Sequence, residues 1–367
     1  MKEAKYWGAT LGIEDSNVLL KLFNKPDSPE KVHMIKEWAV KYAIRFLEST
    51  GLDRVYTGEV LRIEMYEHPI SRIDGFKFLG RVQSLDNKYY NVASVTAPVR
   101  RRQEIYLEEF QIAKKTARKQ LKIPITGPYT LAEWSLNNYY FNKYMRSANS
   151  IKEAKKRARR ELVFELAKVL RSEVLELRRS GADWIQIDEP ALTSHPDGEE
   201  MELFQESFNI ITEGVDATFS LHNCYSNYEV LSKYVVGLKK CHQISLEFAN
   251  RDSLQLGTLS ENRPGYSALK FFVENGFEGG FGVGVLNVLD YEGEPSKWAH
   301  VVEKTLIESP ELVRDRLNYA ANVVGDPSKI YANPDCGLRT RKSWVLIKKK
   351  LENMVKGASM SKSDVEG

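Results

Sequence analysis

The feature that most constrains this chain is an alternation. Short β-rich runs are separated by longer amphipathic stretches along almost the whole length. Eight runs have strand character: "YWGATLGI" (6–13), "DRVYTGEV" (53–60), "KIPITG" (122–127), "DWIQID" (183–188), "ATFSLHNC" (217–224), "QISLEF" (243–248), "EGGFGVGVL" (278–286) and "KIYANP" (329–334). Strands that alternate with helices build a parallel sheet, because each helical crossover returns the chain in the same direction. Eight is the number that closes such a sheet into a barrel. The expected class is therefore α/β, a single (β/α)8 TIM-type barrel. Two further runs, "GFKFLGRV" (75–82) and "YYNVASV" (89–95), flank "QSLDNK" and predict an inserted antiparallel hairpin, residues 75–95, after the second strand.

The longest predicted helix starts near Ile151 and carries Leu162, Leu166, Val169, Leu170 and Leu177 on one stripe. Its many basic residues occupy the opposite face and mix with glutamates, as on a solvated outer helix. The stretch "VRRRQEIYLEEFQIAKKTARKQ" reads the same way. Neither has the glycine and aromatic interleaving of a single-strand binder. With 53 basic against 50 acidic residues the net charge is only +3, which gives no general pull toward nucleic acid or anionic membrane. No run could span a bilayer, and the N-terminal "MKEAKYWGATLGIED" lacks the apolar stretch of a signal peptide. Three cysteines, an odd number, predict a reducing compartment, the cytoplasm. No Pro/Ser/Gly linker divides the chain, so residues 1–356 are expected to form one domain. The last segment, "GASMSKSDVEG" (357–367), is small, polar and aperiodic, and predicts a disordered tail.

The chemistry collects at the C-terminal ends of the predicted strands, the rim where a β/α barrel builds its sites. The strand at 183–188 ends in "QIDEPAL", with Gln186 and Asp188 on one face. Asp188 suits the binding of a substrate amine or a general base; a helix cap or structural ion pair is the alternative. In "SLHNCYSNY", His222 and Cys224 stand two apart, so they share a face. The next strand ends in Glu247, and the last runs into Cys336. Imidazole, carboxylate and two thiolates would together make a four-ligand zinc site, the thiolates favouring zinc over magnesium or calcium. Each residue also has a structural reading: a core histidine, a carboxylate paired with Arg251, a small buried cysteine. Cys241 and His242 fall at the opposite end of their strand and are expected to be structural.

These segments resemble a known family. "DWIQIDEPAL", "HNCYSNY", "ISLEFANRD", "GVGVLNV" and "YANPDCGLRTR" are similar, in order and spacing, to the catalytic half of cobalamin-independent methionine synthase. "YTGEVLRIEMYE", "GFKFLGRVQS" and "LKIPITGPYTLAEWS" resemble its upstream segments, so the likeness covers roughly residues 5 to 350. It implies a zinc-bearing β/α barrel in which His222, Cys224, Glu247 and Cys336 hold Zn²⁺. It further implies that Glu59 and Asp188 bind the α-amino group of homocysteine, and that the thiol is methylated to give methionine.

Three departures from the family pattern bear on function. No second barrel is expected, which matches short "core" enzymes of archaeal type. Ile13, in "TLGIED", stands where the family has a serine that touches the amino acid, which leaves the Gly12 backbone as the substitute contact. Leu289 stands where folate-dependent members have a histidine that helps protonate the leaving group. A folate amine needs an acid to leave, and a cobalt(I) corrin does not. The expected methyl donor is therefore a methylcorrinoid, methylcobalamin or a corrinoid protein, rather than methyltetrahydrofolate. Two rivals remain: a methylcorrinoid:coenzyme M-type thiol methyltransferase, whose sulfonate substrate would meet Glu59 and Asp188 unfavourably, and a non-catalytic zinc-binding relative.

Overall fold

In chain order the strands are β1 (Arg54–Val55), β2 (Ile73–Gln83), β3 (Tyr89–Arg101), β4 (Gln120–Leu121), β5 (Ile123–Thr126), β6 (Trp184–Asp188), β7 (Thr218–Asn223), β8 (Cys241–Leu246), β9 (Gly280–Leu286) and β10 (Ile330–Pro334). The computed structural model describes residues 2–83, 89–192, 194–195, 197–224, 226–288, 307–338, 341 and 343–366. Strands β5 to β10 form one parallel sheet whose spatial order follows the chain order. Strand β1 pairs in parallel with β4, and the Lys122 amide, between β4 and β5, donates to the Val55 carbonyl at 2.9 Å. Among the described residues no ladder joins β10 to β1.

The alternation read in the sequence sets the two faces of this sheet. Ile185, Ile187, Phe219, Leu221, Ile244, Leu246, Phe281, Val283 and Val285 lie in the main core. They share it with Leu162, Leu166, Leu170 and Leu177 of the helix Ile151–Arg179, which is capped by the Ser150 side chain accepting from the Glu153 amide. Each such buried leucine contributes about 2 kcal/mol. The other face is polar: Gln186 and Asp188 on β6, Ser220 and His222 on β7, Gln243 and Ser245 on β8. The register sets Asp188 beside His222, and His222 beside Ser245.

Strands β2 and β3 pair antiparallel as a separate two-stranded sheet, longer than the runs read in the sequence, with residues 84–88 outside the described set.

Three expectations are corrected. Residues 6–13 are not a strand: Lys2–Thr10 is a helix, and Ile13 is buried in a small separate core with Leu19, Leu22, Trp38 and Tyr42. The run 53–60 supplies only the two residues of β1 before a turn. The tail is not disordered as expected, since Trp344–Glu366 is one helix. Gly357 lies so close to the helix Pro310–Val324 that an added Cβ would fall 2.6 Å from that of Val313.

Candidate active site

His222 is the fifth residue of β7, and Cys224 follows that strand's last residue. Cys336 lies two residues past β10, and Glu247 directly follows β8. The fold brings three of these together. His222, Cys224 and Cys336 each offer one ligand atom within 4.8 Å of the others, and the two sulfurs are 3.8 Å apart. The Cys224 side chain and the neighbouring imidazole hold the Cys336 thiol well below its usual range. The same sulfur–sulfur contact, with burial, pushes Cys224 well up. Glu247 stands outside this set of three, but its carboxylate acts electrostatically on Cys224. It is fully buried, with one oxygen accepting from Arg251 at 2.7 Å.

Whether these residues suit a metal can be tested on their unmet bonding. Among the described residues, the buried Nε2 of His222 and second oxygen of Glu247 find no hydrogen-bond partner. Orphaned buried polar atoms are rare and costly. An imidazole nitrogen, a carboxylate oxygen and two sulfurs, from three strand ends, are the donor types zinc takes. The set fits.

Asp335, unassigned in the sequence reading although it sits within "NPDCG", ties this centre together. Its fully buried carboxylate accepts from the backbone amides of Phe248, Ala249 and Asn250 at 2.9, 2.9 and 2.8 Å. The segment after Glu247 is thereby latched to the residue before Cys336. Burial pushes the Asp335 carboxyl up to about 7. Gly284 makes the room, because a Cβ there would lie 2.1 Å from an Asp335 oxygen.

The carboxylates expected for an amine are placed differently. Asp188 ends β6 and accepts from Gln186 Nε2 at 2.7 Å. Burial raises its pKa against the pull of His222, Gln186 and Lys122. Glu59 sits on the turn after β1 at φ +57°, a left-handed conformation that costs a non-glycine residue energy. Arg62 donates to it at 2.5 Å, and the Thr57 hydroxyl accepts from its amide at 3.1 Å. Arg62 is itself pinned by Glu109 at 2.8 Å, by the Pro124 carbonyl at 2.9 Å and by the Tyr106 ring. Burial, opposed by Arg62 and reinforced by Asp188, pushes Glu59 up to about 7.

Sequence reasoning missed Arg62 and Glu109. The Glu-x-x-Arg spacing of "GEVLR" was the available signal for the first; Glu109 had none, since it arrives from a distant helix. Cys241 opens β8, at the end away from Glu247, with burial pushing its thiol up to about 12, and the His242 ring accepts from the Phe219 amide at 3.1 Å. Leu289 lies outside the described residues.

Comparison with known proteins now decides the family. The family model "Cobalamin-independent synthase, Catalytic domain" matches residues 18–289 and 299–360. The chain belongs to this family. Methionine synthase of Thermoplasma volcanium is 38% identical over 349 residues, covering 91% of each chain. That of Thermococcus kodakarensis is 36% identical over 323 residues, covering 88% of this chain and 82% of its own. The chain is thus a short, core-type member of the family and a methyltransferase of the methionine synthase type. Among solved structures, a B12-independent methionine synthase from Shewanella sp. W3-18-1, in complex with selenomethionine, superposes with a TM-score of 0.73 at 22% identity over 93% of this chain and 92% of that one. A methyltransferase from Methanosarcina mazei gives 0.54 at 16% identity, over 90% and 86%. At these identities the likeness speaks for the fold alone.

Proposed function

We propose that this chain transfers a methyl group to the thiol sulfur of homocysteine, giving methionine, at a zinc centre held by His222, Cys224, Glu247 and Cys336. The observation that carries the reading is the pair of orphaned buried atoms, His222 Nε2 and Glu247 Oε2, beside two sulfurs 3.8 Å apart. Bound there, zinc would supply the Lewis acidity that strips the proton from a thiol of ordinary pKa. The chain's own residues do the rest. Glu59 and Asp188 take the substrate ammonium and so fix the direction from which the sulfur meets the methyl carbon, and such orientation is a large part of any bimolecular rate gain. The new S–CH3 bond forms as the methyl leaves its donor, and the bonding pair stays with the donor.

The scaffold we propose is a single β/α barrel domain that includes the C-terminal helix, acting in the reducing cytoplasm. Support comes from the sequential parallel strand order, the barrel relatives and the three free cysteines. Among the described residues no helix is long and apolar enough to cross a membrane. The donor we propose is a methylcorrinoid, because Leu289 cannot protonate a departing folate amine. The family description, which reads cobalamin-independent, argues for the opposite choice.

One assay separates the outcomes. The zinc-loaded protein is offered homocysteine with methylcobalamin or with methyltetrahydrofolate, separately. Methionine from the corrinoid supports the whole reading, whereas methionine from folate alone overturns the donor and leaves the acceptor standing. Methylation of coenzyme M but not homocysteine overturns the acceptor.

A further inference from the structure

Beneath Asp188, on the polar face of the sheet, lies a lysine with no counterpart in the chemistry described so far. Lys122 Nζ donates to Gln186 Oε1 at 2.8 Å, and Gln186 Nε2 donates to Asp188 Oδ1 at 2.7 Å. Lys122 precedes β5 by one residue, and the β5–β6 register sets Pro124 beside Gln186 and Thr126 beside Asp188. All three side chains therefore rise along one face of two adjacent strands toward their C-terminal ends.

The direction of this chain is dictated by chemistry. A lysine ammonium has only donors and a carboxylate only acceptors, so the amide between them has one allowed orientation. Its oxygen must face Lys122, and its NH₂ must face Asp188. Without the lysine the amide could flip and turn its oxygen on the carboxylate. With it, Asp188 Oδ1 is permanently occupied, and among the described residues no donor reaches Oδ2. Gln186 is only 8% exposed, so water does not compete freely for the same bond.

We infer that Lys122 and Gln186 are positioning residues that set the rotamer of Asp188 and leave its second oxygen for the α-ammonium of the acceptor amino acid. They determine specificity for an amino-bearing thiol while touching neither the thiol nor the metal. The inference rests on the proposed role of Asp188.

The test compares homocysteine with 4-mercaptobutyrate, the same thiol acid without the amine. Zinc content and thermal melting are followed for every variant. The wild type should favour homocysteine strongly in kcat/KM. Gln186→Leu should cut that preference roughly tenfold or more by raising the homocysteine KM. Its zinc content and its rate with 4-mercaptobutyrate should not change. Lys122→Met should lower the preference in the same direction, by less, because the amide is freed rather than lost. If Gln186→Leu fails to melt cooperatively, Lys122→Met decides alone. An unchanged preference in the folded variants overturns the inference and leaves the role of Asp188 intact. A wild type that does not distinguish the two thiols overturns the role of Asp188, and the inference with it.

Discussion

The two halves of the candidate site are built by different means. On the sulfur side, His222 and Cys224 leave the end of β7, which is flanked by hydrogen-bonded strands on both edges. Cys336 is latched to the end of β8 by the three amides that Asp335 gathers. Ladder bonds and buried amides hold these atoms whether or not a ligand is present. On the carboxylate side, Glu59 follows a two-residue strand, sits at positive φ and leans on the Arg62 guanidinium. That arrangement is held by charge, and under the proposed role a substrate ammonium would share Glu59 with an arginine already there. Substitutions on the first side should therefore change what the protein binds as a metal. Those on the second should change only how it grips its substrate.

The sharpest break is Cys336→Ser. Replacing a soft thiolate by a hydroxyl removes one of the four proposed donors, and zinc affinity, read as the metal retained after dialysis, should fall by more than about a hundredfold. Transferase activity should be lost with it. Stoichiometric zinc in the purified variant would take Cys336 out of the centre.

The latch comes next. Asp335→Ala leaves three amides without their acceptor, each worth about 1–3 kcal/mol when buried and unpaired. Zinc affinity should drop roughly ten- to a hundredfold, as for partners that orient metal ligands, and the melting temperature should fall too. Gly284→Ala should reproduce both effects with the Asp335 carboxylate still in place, because its new methyl would sit 2.1 Å from an Asp335 oxygen and push it off the amides. Unaltered zinc affinity in both variants would mean that the sulfur side does not depend on the latch.

The same contrast governs how much the sequence discloses. Strands β5 to β10 fall within about two residues of the runs "KIPITG" to "KIYANP", because short apolar segments bounded by Gly, Pro and Asp can do little else in a parallel sheet. His222, Cys224 and Cys336 were legible for the same reason, since a strand end fixes where a residue points. The N-terminal run "YWGATLGI" carries equal hydrophobicity, yet it is helical. Its fate is decided by contacts no local window contains: Trp7 meets Phe46 and Trp344, and Gly8 lets the helix come close to Ser16 and Tyr42. The tail misled in the opposite way. Its small residues look aperiodic, but Gly357 permits close helix packing against Val313. Arg62 left a short-range signal in its spacing from Glu59, but Glu109 and Lys122 were invisible because each acts through partners tens of residues distant, and ion networks leave no period in a sequence.

On the carboxylate side, Glu59→Gln should raise the homocysteine KM by roughly tenfold, the scale of a lost charge-assisted hydrogen bond, while zinc stays bound. Acidity adds a sign to this. Burial pushes the Glu59 carboxyl up to about 7, so it gains a proton as pH falls through that value and loses its charge toward an ammonium. The wild-type KM should therefore climb as pH drops below about 7, whereas that of Glu59→Gln should stay flat across the same window. A parallel climb in the variant would assign the pH dependence to another group, and loss of zinc from it would erase the distinction between the two halves.

The smallest effect is expected at Arg251, where the sulfur side leans on a charge near the surface. Its guanidinium holds one oxygen of Glu247 at 2.7 Å, but the arginine side chain is 42% exposed and also rests on the Tyr228 ring. Two consequences of Arg251→Met oppose each other: Glu247 loses an orienting bond, and it also loses a cation that competes for its electrons. Solvent screens the arginine end of this pair, although its Glu247 end is fully buried. The β8 ladder and the Asp335 latch still fix the Glu247 backbone, and the Glu247 amide still donates to the Tyr228 hydroxyl at 2.9 Å. Zinc affinity, measured by chelator competition, should change by no more than about threefold. A loss as large as that of Asp335→Ala would show that side-chain charge, rather than backbone, positions this ligand, and the two halves of the site would then share one mode of construction.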